Sequence, residues 1–150
     1  MKIFDIPVIN TDGESKTLRD LQEQSNLLVI FFRGAWCNHC KKQLSELNNV
    51  FEQFERLDVK PVAISCDTRF KSSLLKTFLK LHFPVLSDEK FKLIDAFDLR
   101  TVYKGKEVAK PAVFLFNFEG TQIFNYIGTD YDDRLAGQEV LKEVRKAFEL

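Results

Sequence analysis

The apolar run Leu27-Leu28-Val29-Ile30-Phe31-Phe32 offers no polar side chain with which to face solvent. Such a run suits a strand covered on both faces, as in the interior of a parallel sheet layered between helices. Directly beyond it the hydrophobic period changes. Cys40, Leu44, Leu47, Phe51 and Phe54 step by four, three, four and three positions, which is one stripe of an α-helix. A buried strand handing over to an amphipathic helix places the chain among α/β layer folds. Two thiols sit at the joint, in Trp36-Cys37-Asn38-His39-Cys40.

The remaining elements read around that unit. Ile6 and Val8 allow a short edge strand before a Thr11-Asp12-Gly13 turn, and Ser15 to Gln24 has weak helical character. Pro61–Ser65 and Ala112–Phe116 read as further buried strands. Phe70, Leu74, Phe78 and Leu81 predict a helix buried along that stripe; Phe91, Ile94 and Phe97 predict a shorter one. Asn117–Gly120 predicts a turn with Gly120 at positive φ, and Thr121 to Ile127 returns antiparallel. Asp130, Asp132 and Asp133 predict the start of a last helix. Val140, Leu141, Val144 and Phe148 form its buried face, and Lys142, Arg145 and Lys146 suit its end. No linker or repeat interrupts the 150 residues, so one α/β domain over 1–150 is expected.

Net charge is zero and no long basic tract exists, which argues against nucleic acid. The apolar runs are too short to span a bilayer. Met1 to Pro7 lacks the apolar core of a signal peptide, which predicts a cytoplasmic protein without a membrane partner. Three cysteines are too few for a disulfide scaffold; in a reducing compartment a close pair points to catalysis or metal binding. A structural zinc site needs four ligands, often as two close pairs, and one pair is present, so neither a metal nor another cofactor is expected.

In parallel sheets the working site lies at the carboxyl ends of the strands, where Cys37 falls. At a helix N-terminus the unpaired N–H groups and the positive end of the dipole favour thiolate over thiol. Cys40, one turn on and in the buried stripe, lies within roughly 5–6 Å, a span that a disulfide tolerates. The expected roles are Cys37 attacking and Cys40 resolving. His39 between them would stabilise the thiolate, or be a solvated residue of the first turn. Arg33, Lys41 and Lys42 add positive charge, although Arg33 could equally reach solvent from the strand end. Trp36 adjoins the attacking sulfur. Cys66 ends the second strand and reads as a buried structural thiol, with a second resolving thiol as the sharper alternative. His82 reads as structural. Pro111 precedes a buried strand, and the residues alone favour a trans bond before it.

Phe31-Phe32-Arg33-Gly34-Ala35-Trp36-Cys37-Asn38-His39-Cys40 resembles the Phe-x-Arg-Gly-x-Trp-Cys-Pro-x-Cys signature of the peroxiredoxin-like branch of the AhpC/TSA (redoxin) family. The resemblance continues through Phe83-Pro84-Val85-Leu86-Ser87-Asp88, Pro111-Ala112-Val113-Phe114 with Glu119-Gly120, and Asp130-Tyr131 with Arg134. It implies a thioredoxin-like fold, a central mixed β-sheet flanked by helices on both faces. It also implies a redox-active Cys37–Cys40 centre and a cis bond before Pro111. Residues and resemblance together lead to a thiol–disulfide oxidoreductase; a hydroperoxide-reducing peroxidase, which the resemblance itself favours, is the alternative, and a metal-binding protein or a non-catalytic thioredoxin-like binding module stands behind both. The implied partners are a thiol reductant such as thioredoxin or glutathione and a protein disulfide or hydroperoxide substrate. Three departures stand out. Asn38 replaces the Pro between the cysteines. Ile30 and Gly34 occupy the Pro and Thr places of the peroxiredoxin Pro-x-x-x-Thr-x-x-Cys. Pro111 stands where peroxiredoxins place an Arg. That Thr and Arg stabilise charge developing on peroxide oxygen, so their loss disfavours peroxide chemistry. The buried Asp of thioredoxins, six residues before the first Cys, is Phe31 here.

Overall fold

The computed structural model describes residues 3–129 and 133–148. The predicted strands form as β3 (Asn26–Phe31), β4 (Val59–Ser65) and β8 (Ala112–Phe116), joined by β1 (Val8–Ile9), β2 (Ser15–Lys16), β5 (Val85–Ser87) and β9 (Gln122–Ile127). They make one sheet in the order β2-β1-β5-β4-β3-β8-β9. Strands β3, β4 and β5 run parallel; β8 lies antiparallel to β3, and β9 to β8. The sheet is therefore mixed, with β3 near its centre, as six apolar residues in a row require.

Alternation along β3 divides the interior in two. Leu28, Ile30 and Phe32 face a core that holds Cys40, Leu44, Leu47 and Phe54, with Val140, Leu141 and Val144 of α6 (Gly137–Phe148). Leu27, Val29 and Phe31 face a second core with Leu18 of α1 (Leu18–Gln22) and Leu93 and Ile94 of α5 (Lys92–Ala96). Helices thus cover both faces of a thioredoxin-like sheet. Several phenylalanines pack edge-on or tilted in the second core, Phe97 against Phe114 at 4.6 Å and Phe31 against Phe97 at 5.0 Å between ring centroids.

The stripe read from Cys40 to Phe54 is real, but two helices share it: α2 (Asn38–Asn49) and α3 (Phe51–Arg56) break at Val50, whose φ is −110°. The Ser15–Gln24 segment divides into β2 and α1. Thr17 caps α1 reciprocally: its hydroxyl accepts from Asp20 N at 3.1 Å and its N–H donates to Asp20 Oδ2 at 3.0 Å. The turn at Asn117 forms as expected, with Gly120 at φ 86° and Asn117 Oδ1 accepting from Glu119 N and Thr121 N.

Four expectations are corrected. Helix α4 (Arg69–Leu79) buries Ser72 and Leu75, while Phe70, Leu74 and Phe78 are 70%, 54% and 76% exposed. The inward position of a serine follows from a partner that hydropathy does not reveal: Ser72 Oγ lies 2.7 Å from Ser87 Oγ of β5, so the polar pair satisfies itself in the interior. Second, a hairpin of β6 (Arg100–Tyr103) and β7 (Lys106–Ala109) appears in a stretch given no element. Its two-residue turn, Lys104-Gly105, takes φ of 50° and 79°, the left-handed pair that such a tight connection needs. Third, Asp133 does not start α6, which begins at Gly137; Asp130 and Asp132 lie outside the described residues. Fourth, the bond before Pro111 is trans, since no described peptide bond is cis. Among the described residues no helix is long and apolar enough to cross a membrane.

The two faces of α4 give opposite expectations for stability. Leu75→Ala opens a cavity under the helix and is expected to cost about 2–5 kcal/mol in denaturant unfolding. Phe78→Ser is expected to change stability by no more than about 0.5 kcal/mol. The reverse order would restore the hydropathy-based face.

Candidate active site

Cys37 is the N-cap residue of α2, with extended backbone (φ −88°, ψ 112°). Its Sγ takes the place of the usual cap oxygen and accepts from Cys40 N at 3.3 Å. The loop before it is held from three sides. Gly34 O accepts from Cys37 N at 3.1 Å. A Cβ on Gly34 would collide with Trp36 Nε1, so any larger residue there would displace the indole. Asp67, just past the carboxyl end of β4, accepts from Ala35 N at 2.7 Å. Burial pushes the Asp67 carboxyl above its ordinary pKa.

Both sulfurs are shielded, Cys37 at 4% and Cys40 at 0% exposure. Cys40 Sγ accepts from Arg33 N at 3.4 Å and from Arg134 Nη1 at 2.8 Å, and the same Nη1 lies 3.9 Å from Cys37 Sγ. The Cys40 thiol hydrogen-bonds to Cys37 and does most to lower the Cys37 pKa, to about 5; burial opposes it, while the Cys40 N–H and the charges of Arg134 and Arg33 assist. Cys40 moves the other way, because it is the more deeply buried and because its proton is the one Cys37 uses. Arg134 is nearer to Cys40, but its charge does not outweigh that burial. At neutral pH the pair therefore holds one thiolate, on Cys37, and one thiol, on Cys40.

Helix α2 also fixes the arginine. Gln43 Nε2 donates to Leu135 O at 2.8 Å, and Glu46 Oε1 accepts from Gly137 N at 2.8 Å. A Cβ on Gly137 would run into Glu46, so glycine lets α6 close on α2. On the other side of Arg134, Asp133 accepts from Tyr126 OH at 2.6 Å and from Thr129 N and Oγ1 at 2.9 and 2.8 Å. The helix that carries the thiols thus also holds the loop that carries their guanidinium.

The expected site residues fall as follows. Cys37 and Cys40 come together, with Trp36 beside them and partly exposed. Arg33 is buried rather than solvated, and its guanidinium lies 4.5 Å from the centre of the Tyr103 ring. His39 is exposed in the first turn of α2 and, with Lys42 and Arg134, lines a cavity of about 160 Å³; the leading charges acting on Cys37 are those of the two arginines. Cys66 is not brought to the pair. Its phase along β4 is that of Val62 and Ile64, so it packs on the second core, across the sheet from Cys40. Its thiol faces Glu107 O at 3.7 Å and burial pushes its pKa up. Pro111 caps the start of β8, its carbonyl accepting from Gly128 N at 2.7 Å. His82 lies away from the thiols, its ring 5.5 Å from that of Phe51.

The sequence pattern does not mark Arg134, Asp67 or Tyr103 as site residues. Arg134 is 97 positions from Cys37, and its only signal was its place in the family-like Asp130-Tyr131…Arg134 stretch. Asp67 could have been found from its position just past a buried parallel strand. Among the described residues no three His, Cys, Asp or Glu side chains converge as for a metal ion.

Residues 1–121 match the model of the AhpC/TSA family. The thiol–disulfide oxidoreductase ResA of Bacillus subtilis is 28% identical over 123 residues, covering 80% of this chain and 62% of that protein. Peroxiredoxin 1 of Sulfuracidifex metallicus is 26% identical over 155 aligned positions, covering 98% of this chain and 70% of that protein. In shape, a Cys-to-Ser mutant of Xylella fastidiosa PrxQ superposes with a TM-score of 0.87 at 19% identity, over 99% of this chain and 92% of that one. With a redox-type Cys-x-x-Cys at the carboxyl edge of a thioredoxin-like sheet, this chain belongs to the AhpC/TSA family of thiol-dependent oxidoreductases.

Proposed function

We propose that the protein is a thiol–disulfide oxidoreductase in which Cys37 attacks and Cys40 resolves. The observation that carries this reading is the Cys37 sulfur itself: it caps α2 and rests against the thiol one turn below it. In the first step the Cys37 thiolate displaces one thiolate from a substrate disulfide and becomes bonded to the other sulfur. That removes the negative charge on Cys37, and with it the repulsion and the hydrogen bond that kept Cys40 protonated. Arg134, already 2.8 Å from Cys40 Sγ, then favours the new thiolate there. Cys40 attacks Cys37 Sγ and the second substrate thiolate leaves. The substrate gains two electrons and the enzyme holds a Cys37–Cys40 disulfide. An external dithiol or pair of thiols returns the electrons and resets it.

A second reading has one specific observation in its favour. The Arg134 guanidinium near Cys37 Sγ could support a peroxide oxygen, and some relatives are named peroxiredoxins. Cys37 thiolate would then take one oxygen as sulfenic acid, releasing an alcohol after protonation. Cys40 would condense with it and release water. Against this, the two positions ahead of Cys37 hold Ile30, buried in β3, and Gly34, neither of which offers a side-chain donor.

The two readings separate in one assay set with a common thiol reductant. Protein-disulfide reduction is expected to proceed well above the reductant's own rate, and peroxide consumption to stay near the rate of free thiols. Cys37→Ser abolishes turnover, and Cys40→Ser accumulates a mixed disulfide between Cys37 and substrate. Rapid peroxide turnover with little disulfide reduction would install the peroxidase reading instead. Arg134→Met is expected to raise the Cys37 midpoint by about one pH unit and to slow release of the mixed disulfide about tenfold. An unchanged release rate would remove Arg134 from the resolving step.

A further inference from the structure

The β6–β7 hairpin stands apart from the main sheet, and two strands alone are marginally stable. Its base is well held. Arg100 reaches Asp95 at 2.7 Å and Glu107 at 3.1 Å and lies over the Phe91 ring, while Lys110 N donates to Leu99 O at 2.8 Å. Near the turn the hairpin leans on the thiol loop through Tyr103. The half-buried Tyr103 ring stacks on Trp36, with centroids 5.6 Å apart and planes 11° from parallel. The same ring receives the Arg33 guanidinium at 4.5 Å, well inside the reach of a cation–π contact. Trp36 precedes Cys37, and Arg33 supplies both a backbone donor to Cys40 Sγ and a charge acting on Cys37.

We infer that Tyr103 is a positioning residue of the dithiol: its π face holds the Arg33 side chain and the Trp36 indole against the Cys37 loop, which makes the hairpin a working part of the site. Arg33 is a long side chain kept out of solvent, and removing the ring takes away a surface that holds its charge near Cys37. Trp36 likewise loses the surface that sets its orientation. The inference rests on Cys37 being the acidic, attacking thiol.

The test measures the rate of Cys37 alkylation against pH in reduced Cys66→Ser protein, alongside Trp36 fluorescence. Tyr103→Leu keeps apolar bulk but removes the π face. It is expected to shift the Cys37 midpoint upward by about half a pH unit, to slow alkylation at about pH 5 roughly 2-fold, and to alter Trp36 emission. Tyr103→Phe is expected to keep the parent profile, and Val102→Ser, on the exposed side of the same strand, to leave it unchanged. Should Tyr103→Leu unfold the hairpin, Tyr103→Trp, which restores a flat ring, is expected to return the parent midpoint. A parent midpoint near 5 that Tyr103→Leu does not move overturns this inference alone. A shift shared equally by Tyr103→Phe or Val102→Ser overturns it as well, since the ring would then not be the cause. An ordinary thiol midpoint in the parent protein removes the functional reading and the inference together.

Discussion

A sulfur anion at the rim of an apolar core survives only where donors replace the water it has lost. Cys37 meets that constraint by standing at the N-terminus of α2, where the Cys40 N–H donates to its sulfur and the Cys40 thiol lies one turn below. Much of the molecule serves that placement. The apolar run Leu27–Phe32, most of it in β3, brings the chain to the edge of the sheet with no choice of face. Gly34 and Asp67 shape the loop that follows, and the core that takes Cys40, Leu44 and Leu47 fixes the helix axis.

The two thiols differ because their depths differ. Burial dominates at Cys40 and hydrogen bonding dominates at Cys37, so a single proton between them settles on the deeper sulfur. In the exchange proposed above, that asymmetry orders the chemistry: the anion waits at the outer atom, and the inner atom ionises after the outer one has been consumed. Arg134 can serve both stages without moving far, because one nitrogen faces both sulfurs. Its position is secured by Gln43 and Glu46 on the same helix as the thiols.

The sequence pattern revealed the elements whose signal is local. The run at Leu27 and the Asn117–Gly120 turn each led to the element observed, and the four-three stepping from Cys40 found the buried stripe that α2 and α3 share. Where a partner distant in sequence decides the outcome, the pattern misled or fell silent. Ser72 turns inward because Ser87 is there to meet it, and three hydrophobic residues of α4 turn outward in consequence. Cys66 sits at the right end of the right strand, yet strand alternation sends it to the far face, and only the packed sheet says which face holds the dithiol. Arg134 and Tyr103 come from segments without a strong period, and their importance lies in contacts with Cys40, Arg33 and Trp36. The thiol pair itself was legible because its chemistry is written within one helical turn.

The central claim is that an anionic sulfur is present at residue 37 under neutral conditions. Ultraviolet titration of thiolate absorbance in the reduced protein tests it most directly. The structure predicts one thiolate ionising with a midpoint of about 5, absent from Cys37→Ser. A first ionisation in the ordinary range of free cysteine, about 8.5, would contradict it.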